Sequence, residues 1–107
     1  MATLHPAVAE ALSRLWVKFL PEIEARIAVL AKASDALAAG ELSLQLREEG
    51  HAAAHKLAGS LGTFGMAIGT ELARNAELLL TTEVDGADAE ALSGYVCGLQ
   101  EIVSNRK

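Results

Sequence analysis

Apolar residues recur at intervals of three and four along almost the whole sequence, and no stretch alternates apolar and polar residues as a half-buried β-strand would. In the segment 6–39 this spacing links Val8, Leu12, Leu15, Phe19, Ile23, Ile27, Leu30 and Leu37. Trp16 flanks these positions. The same spacing predicts three further helices, over about 42–61, 66–80 and 87–104. Helices of about 16–20 residues are about 24–30 Å long, and this length suits an antiparallel bundle. We therefore expect an all-α fold, an antiparallel four-helix bundle.

The prolines and glycines predict where these helices begin and end. Pro6 can open the first helix, where its missing N–H is no loss. Pro21 lies inside the apolar pattern and predicts a kink or a break near residues 19–20. The bundle is therefore expected to carry an additional N-terminal helix or a kinked extension. Gly40 is expected to cap this segment, and the turn "GTFG", residues 62–65, to end the next helix.

Composition limits the classes of function. The chain has 107 residues, which suits a single domain over residues 1–107 with one modest core. A net charge of −5 argues against a nucleic-acid partner, since phosphate binding needs a basic surface. No apolar run reaches the ~18 residues of a membrane span, and no basic-then-apolar leader is visible. The single cysteine, Cys97, is expected to be a small buried hydrophobe. We expect a soluble cytoplasmic protein without a membrane partner.

The stretch "HAAAHKLAGSLGTFG", residues 51–65, makes an unusual helix surface. At about 100° per residue, His55 lies opposite Leu57 and so faces solvent. Gly59 follows one turn later, and a glycine inside a helix costs ~1 kcal/mol relative to alanine, so its presence needs a reason. Close approach of another surface to His55 is one such reason. Lys56 adds a cation within reach of an anion on the imidazole. These features together suit a histidine that receives a phosphoryl group from a docked partner.

Three neighbours of this histidine are expected to lie where the partner docks. A helical side chain leans back over the preceding turn, which places His51 and Ala52 beside the His55 ring. Gly59 is the third, because any side chain there would stand between His55 and an incoming loop. Gly50, also within the predicted helix, raises the same question as Gly59.

Two other functions remain open at this stage. One is a helical interaction module that docks a partner without being phosphorylated. The other is metal binding by His51 and His55, which are four residues apart, with Glu48 one turn earlier. A third histidine or cysteine ligand is missing from this pattern, so no metal site is expected.

The segment "AHKLAGSLGTFG", residues 54–65, resembles the signature of histidine-containing phosphotransfer (Hpt) domains. In that signature an alanine-preceded histidine is followed by an apolar residue, by Gly-Ser and by a glycine-closed turn. His55 matches the phosphorylated histidine and Leu57 the buried apolar position. Gly59 matches the small site, and Gly65 matches the turn.

The resemblance implies a function as well as a fold. Members of the family are four-helix bundles that carry phosphoryl groups between receiver-domain aspartates, or from a histidine kinase, in two-component relays. It implies that this chain is a phosphoryl carrier and not an enzyme, with no cofactor of its own. Its partners would be a response-regulator receiver domain and a sensor or hybrid histidine kinase. No nucleotide-binding signature is present in the sequence.

The family pattern also suggests residues that assist the histidine. Many members place a lysine three positions after it, where this chain has Ala58, and Lys56 looks like that lysine relocated, as the phosphate-stabilising cation. The segment "LARNAELL", residues 72–79, supplies Glu77, which matches a glutamate that hydrogen-bonds the histidine ring in the chemotaxis-kinase branch. Such a bond would fix the ring tautomer and leave the outward nitrogen as nucleophile. The alternative is a surface ion pair between Glu77 and Arg74.

Overall fold

The computed structural model describes residues 5–106, and over this range the chain forms a bundle of four α-helices. The helices are α1 Pro6–Ala38, α2 Leu44–Thr63, α3 Ala67–Leu79 and α4 Ala89–Arg106. Both α1 and α3 pack against α2 and α4. Because consecutive helices pack side by side across short loops, their directions alternate. The predicted all-α four-helix bundle is confirmed; residues 1–4 and 107 of the predicted domain lie outside the described range.

The first helix continues through Pro21, so the break predicted near residues 19–20 is wrong. Pro21 is exposed to solvent, while Trp16 and Ile23 on either side of it are buried, with 4% and 0% of their surfaces exposed. This packing offsets the backbone hydrogen bond that proline cannot donate. At about 1.5 Å per residue α1 is ~50 Å long and α2 only ~30 Å. The predicted N-terminal extension is therefore the first turns of α1 itself.

The buried stripe in the first half of α1 differs from the predicted one. Val8, Leu15 and Phe19 are 47%, 41% and 40% exposed, although their spacing predicts a core position. Trp16 is buried instead, and its ring meets the ring of Phe64 edge-on, with centroids 5.2 Å apart. The apolar arc of this helix is wide enough for two stripes. The stripe that contains Trp16 is buried, because it faces Phe64.

The glycine-closed helix ends stand where the sequence predicts them. Gly40 and Gly65 have positive φ angles of 71° and 70°, a conformation that glycine adopts without strain. Beyond the second of them, the N–H of Met66 donates to the carbonyl oxygen of Leu61 at 2.9 Å. This bond satisfies a carbonyl at the end of α2 and turns the chain back, so that α3 runs alongside α2.

Gly50 has a different environment from the one suggested for it. It is buried, and a Cβ built on it would lie 3.1 Å from Leu80 Cδ1 and 3.3 Å from Ala33 Cβ. The close approach that requires glycine here is therefore between helices of the same bundle. Gly50 does not belong to the surface around His55.

Cys97 of α4 has a different environment from the predicted one. Cys97 is exposed, so its predicted burial is wrong. Val96 and Leu99, on either side of it in α4, occupy the buried positions, and a residue between them falls outside the buried stripe. Separately, none of the helices found between residues 5 and 106 is long and apolar enough to cross a lipid bilayer.

Candidate functional site

His55 projects from the middle of α2 into solvent. Its side chain is 72% exposed, whereas Leu57, two residues along the same helix, is fully buried. This is the arrangement that the helical spacing predicts. The imidazole is therefore held by a rigid helix but remains accessible to a large partner.

Glu77 of α3 lies beside this ring. One carboxylate oxygen, Oε2, is 2.7 Å from Nδ1 of His55, a distance typical of a charge-assisted hydrogen bond. An ionised carboxylate can only accept, so Nδ1 carries the proton and donates it. The neutral ring then has its lone pair on Nε2, the nitrogen on the far side from Glu77. No ion pair joins Glu77 to Arg74, which was the alternative partner for this carboxylate.

The chain brings these two side chains together through the turn between α2 and α3. The two helices are antiparallel and are joined by the loop 64–66. Residues at similar distances before and after such a turn lie side by side, which is the case for His55 and Glu77. Glu77 is only 23% exposed, so its carboxylate is partly shielded at the interface between the helices.

The residues predicted to flank the docked partner surround His55. Ala52 and Gly59 are exposed, and a Cβ built on Gly59 would meet nothing within 4 Å. His51 is 39% exposed, and its Nε2 is 3.9 Å from the same Oε2 of Glu77, too far for a hydrogen bond. Their contact with a partner stays a prediction, but each lies on the accessible surface that the prediction requires.

A cleft of about 250 Å³ opens beside the imidazole. It is lined by His55, Ala58, Gly59, Arg74 and Glu77. Sequence reasoning did not place Arg74 in the site, although its position three residues before Glu77 puts both on one face of α3. Lys56, predicted to stabilise the phosphoryl group, is exposed and does not line this cleft.

The metal-binding alternative invoked His51 and His55 with Glu48. In the part of the chain that the structure describes, no three histidine, cysteine, aspartate or glutamate side chains are arranged to hold a metal ion. The two histidines instead share the carboxylate of Glu77, one at hydrogen-bond distance and one beyond it.

Comparison with known protein families gives an independent result. The model of a family described as Hpt domain matches residues 14–105. The chain belongs to the Hpt domain family. The match begins within α1 and ends one residue before the end of α4, so it covers the bundle except the first turns of α1 and the last residue of α4. Hpt domains are helical phosphocarrier modules of phosphorelays, which agrees with the resemblance found in the sequence. No curated protein and no solved structure matches this Hpt domain significantly.

Proposed function

We propose that this Hpt domain accepts a phosphoryl group on Nε2 of His55 and returns it to the aspartate of a response-regulator receiver domain. The observation that carries the proposal is the 2.7 Å contact between Nδ1 of this exposed histidine and Oε2 of Glu77. That contact directs the ring's lone pair to the nitrogen that faces away from the bundle. A sensor or hybrid histidine kinase is the second class of phosphoryl donor that such a site would serve.

The transfer is a displacement at phosphorus. The lone pair of His55 Nε2 attacks the phosphorus of the aspartyl phosphate, and an N–P bond forms. The P–O bond to the aspartate breaks, and its electron pair leaves on the carboxylate. The ring becomes cationic, and its Nδ1 proton stays hydrogen-bonded to Glu77, whose negative charge stabilises it. A docked receiver would bring its own Mg²⁺, which would neutralise the phosphoryl oxygens, so the proposal gives this domain no cofactor of its own.

The surface around His55 favours docking. In-line attack requires the partner's loop to approach Nε2 from the solvent side. Gly59 presents no side chain in that direction, and Ala52 presents only a methyl group. A receiver domain could therefore approach His55 without meeting a bulky side chain at positions 52 and 59.

The test uses a panel of receiver domains, each phosphorylated with acetyl phosphate in the presence of Mg²⁺ and then mixed with the chain. We expect acid-labile, alkali-stable phosphate to appear on the chain with at least one receiver. His55→Ala should abolish uptake and His51→Ala should retain most of it, with both variants helical by circular dichroism. His51→Ala is the matched control, since it removes an imidazole from the same face.

Three results would contradict this assignment. Uptake that survives in His55→Ala would show that another residue is the acceptor. Equal losses in the two histidine variants would indicate a shared site, such as a metal pair. A chain that binds a receiver but takes up no phosphate from any of them would be an interaction module.

A further inference from the structure

We propose that Arg74 of α3, and not Lys56 beside the acceptor, binds the oxygens of the phosphoryl group carried by His55. This inference rests on the proposed function, since it concerns the same histidine. It assigns the cation of the site to a residue on the neighbouring helix.

The first support is the cleft beside His55. Five residues line it, and Arg74 is the cation among them, with Glu77 the anion. Arg74 and Glu77 are three residues apart on α3, and residues at this spacing share a helix face. Because Glu77 contacts Nδ1 of His55 at 2.7 Å, this face of α3 is turned toward the imidazole.

The second support is the charge that phosphorylation adds. A protein-bound phosphoryl group carries about −1.5 to −2 charge near neutral pH. On Nε2 of His55 it would lie only the width of the imidazole ring beyond the contact between Nδ1 and Glu77, so these like charges still repel each other. A cation in the same cleft offsets that repulsion. A guanidinium is well suited to this, because its planar fork can donate two parallel hydrogen bonds to phosphoryl oxygens.

The third support is that Arg74 is available. Its side chain is exposed, and it forms no hydrogen bond or ion pair with other described residues of the chain. Arg26 of α1, which lies beside α2, already has hydrogen-bond partners. It donates to Ser60 Oγ at 3.2 Å and to Glu22 Oε1 at 2.6 Å.

Lys56 is less well placed than its position in the sequence suggests. Adjacent residues of a helix diverge by about 100°, so Lys56 does not face the same way as His55. Ser60 lies on the same flank of α2 as Lys56. Its contact with Arg26 shows that this flank faces α1. Lys56 thus points toward the α1 side, while the cleft lies on the α3 side with Glu77.

The experiment loads the histidine without a protein partner. Phosphoramidate transfers its phosphoryl group to an imidazole nitrogen and releases ammonia, so uptake depends on the chain alone. We compare Arg74→Gln with Lys56→Gln, which make the same change in net charge, and with Arg74→Lys. Arg74→Gln is expected to slow uptake roughly fivefold to tenfold, as loss of a charge-assisted contact implies. Lys56→Gln should stay within about twofold of the original chain and Arg74→Lys should fall between them.

A second readout separates direct contact from a structural effect. In a ¹H–¹⁵N spectrum, phosphorylation should shift the Nε–H resonance of Arg74 downfield, while resonances of Arg14, exposed on α1, stay in place. An unchanged Arg74 resonance would overturn the inference. So would slower uptake in Lys56→Gln than in Arg74→Gln, or equal slowing in both.

Failure of the proposed function has a different signature. If the unaltered chain takes up no phosphoryl group, or if His55→Gln takes it up equally, the acceptor assignment itself is wrong. If His55 is labelled normally and Arg74→Gln behaves like the original chain, only the role of Arg74 is refuted.

Discussion

His55 and Glu77 are 22 positions apart in the sequence and 2.7 Å apart in the structure. The sequence predicts that His55 is exposed, because helical geometry alone places it opposite Leu57. The sequence does not decide between two partners for Glu77, since Arg74 on the same helix and His55 on the neighbouring α2 are both within reach of a glutamate. Only the packing of α3 against α2 favours the histidine, and that packing depends on the turn at Gly65.

The contact between these two residues predicts the effect of removing the carboxylate. Glu77→Ala should slow phosphoryl uptake from a receiver by roughly tenfold, because the Nδ1 proton loses its acceptor and both ring tautomers become populated. Glu77→Gln should be closer to the original chain, since its amide oxygen still accepts from Nδ1. Transfer rates measured by rapid quench would show the difference.

Glu71→Ala is the control for this pair, because it removes an exposed carboxylate from the same helix without touching the ring. Uptake that is equal in Glu77→Ala and Glu71→Ala would mean that Glu77 contributes only surface charge.

Within α2, two glycines stand in opposite environments. Gly59 is exposed with open space around it, and Gly50 is buried against side chains of α1 and of the segment after α3. The position of each glycine relative to the buried and exposed faces of α2 predicts this difference in environment. Gly50 is seven residues before Leu57, which is two helical turns on the buried face, whereas Gly59 is four residues after His55 on the exposed face.

Leucine at these two positions should have opposite effects on stability. Gly59→Leu is expected to leave the free energy of unfolding unchanged or to raise it by up to ~1 kcal/mol, through helix propensity. It should nevertheless strongly reduce transfer from a receiver, because the new side chain blocks docking, while labelling by phosphoramidate continues. Gly50→Leu should lower the free energy of unfolding by about 1–3 kcal/mol or more, through overpacking. Urea denaturation measures both values, and a Gly59→Leu variant as unstable as Gly50→Leu would contradict the account.

The first helix shows what a sequence pattern omits. Proline inside a helix predicts a break, but packing on both sides of Pro21 keeps α1 continuous. An apolar stripe likewise predicts burial only where another element covers it. The first turns of α1 extend past the shorter helices, so Val8 stays exposed despite its favourable spacing.

A continuous α1 predicts that Pro21 destabilises the protein. Pro21→Ala should raise the free energy of unfolding by about 1–3 kcal/mol, because it restores a backbone hydrogen bond and removes a ring clash. Pro6→Ala is the matched control, and should change stability by less than about 0.5 kcal/mol, since proline at the first helical position loses nothing. Chemical denaturation of both variants provides the comparison. A Pro21→Ala variant no more stable than Pro6→Ala would indicate that the chain already departs from a helix at residue 21.

Across the whole bundle, the sequence predicted the order and approximate limits of α2, α3 and α4, whereas it left open an additional N-terminal helix that the structure shows to be part of a continuous α1. Short loops and the two glycine caps made this possible, because both are local signals. The choice of buried side chains was harder, as Cys97 and Phe19 show, since it depends on which helix faces which. The charged residues of the site were the hardest to predict, because Arg74 comes close to His55 only once α3 has packed against α2.

The bundle presents the exposed imidazole of His55 to solvent, and Glu77 of the same chain contacts the ring at Nδ1. Its remaining histidines are His5, which caps the start of α1, and His51, one turn before the acceptor. We expect Glu77 to hold the Nδ1 proton, so that the phosphoryl group is carried by Nε2 of His55.

A two-bond ¹H–¹⁵N spectrum of the imidazole rings, recorded before and after phosphorylation by a receiver, shows which ring nitrogen carries the proton and which carries the phosphoryl group. We expect His55 to begin as the tautomer protonated on Nδ1 and to become phosphorylated on Nε2, while His5 and His51 stay unmodified. A phosphoryl group on Nδ1 of His55, or on either of the other histidines, would contradict this expectation.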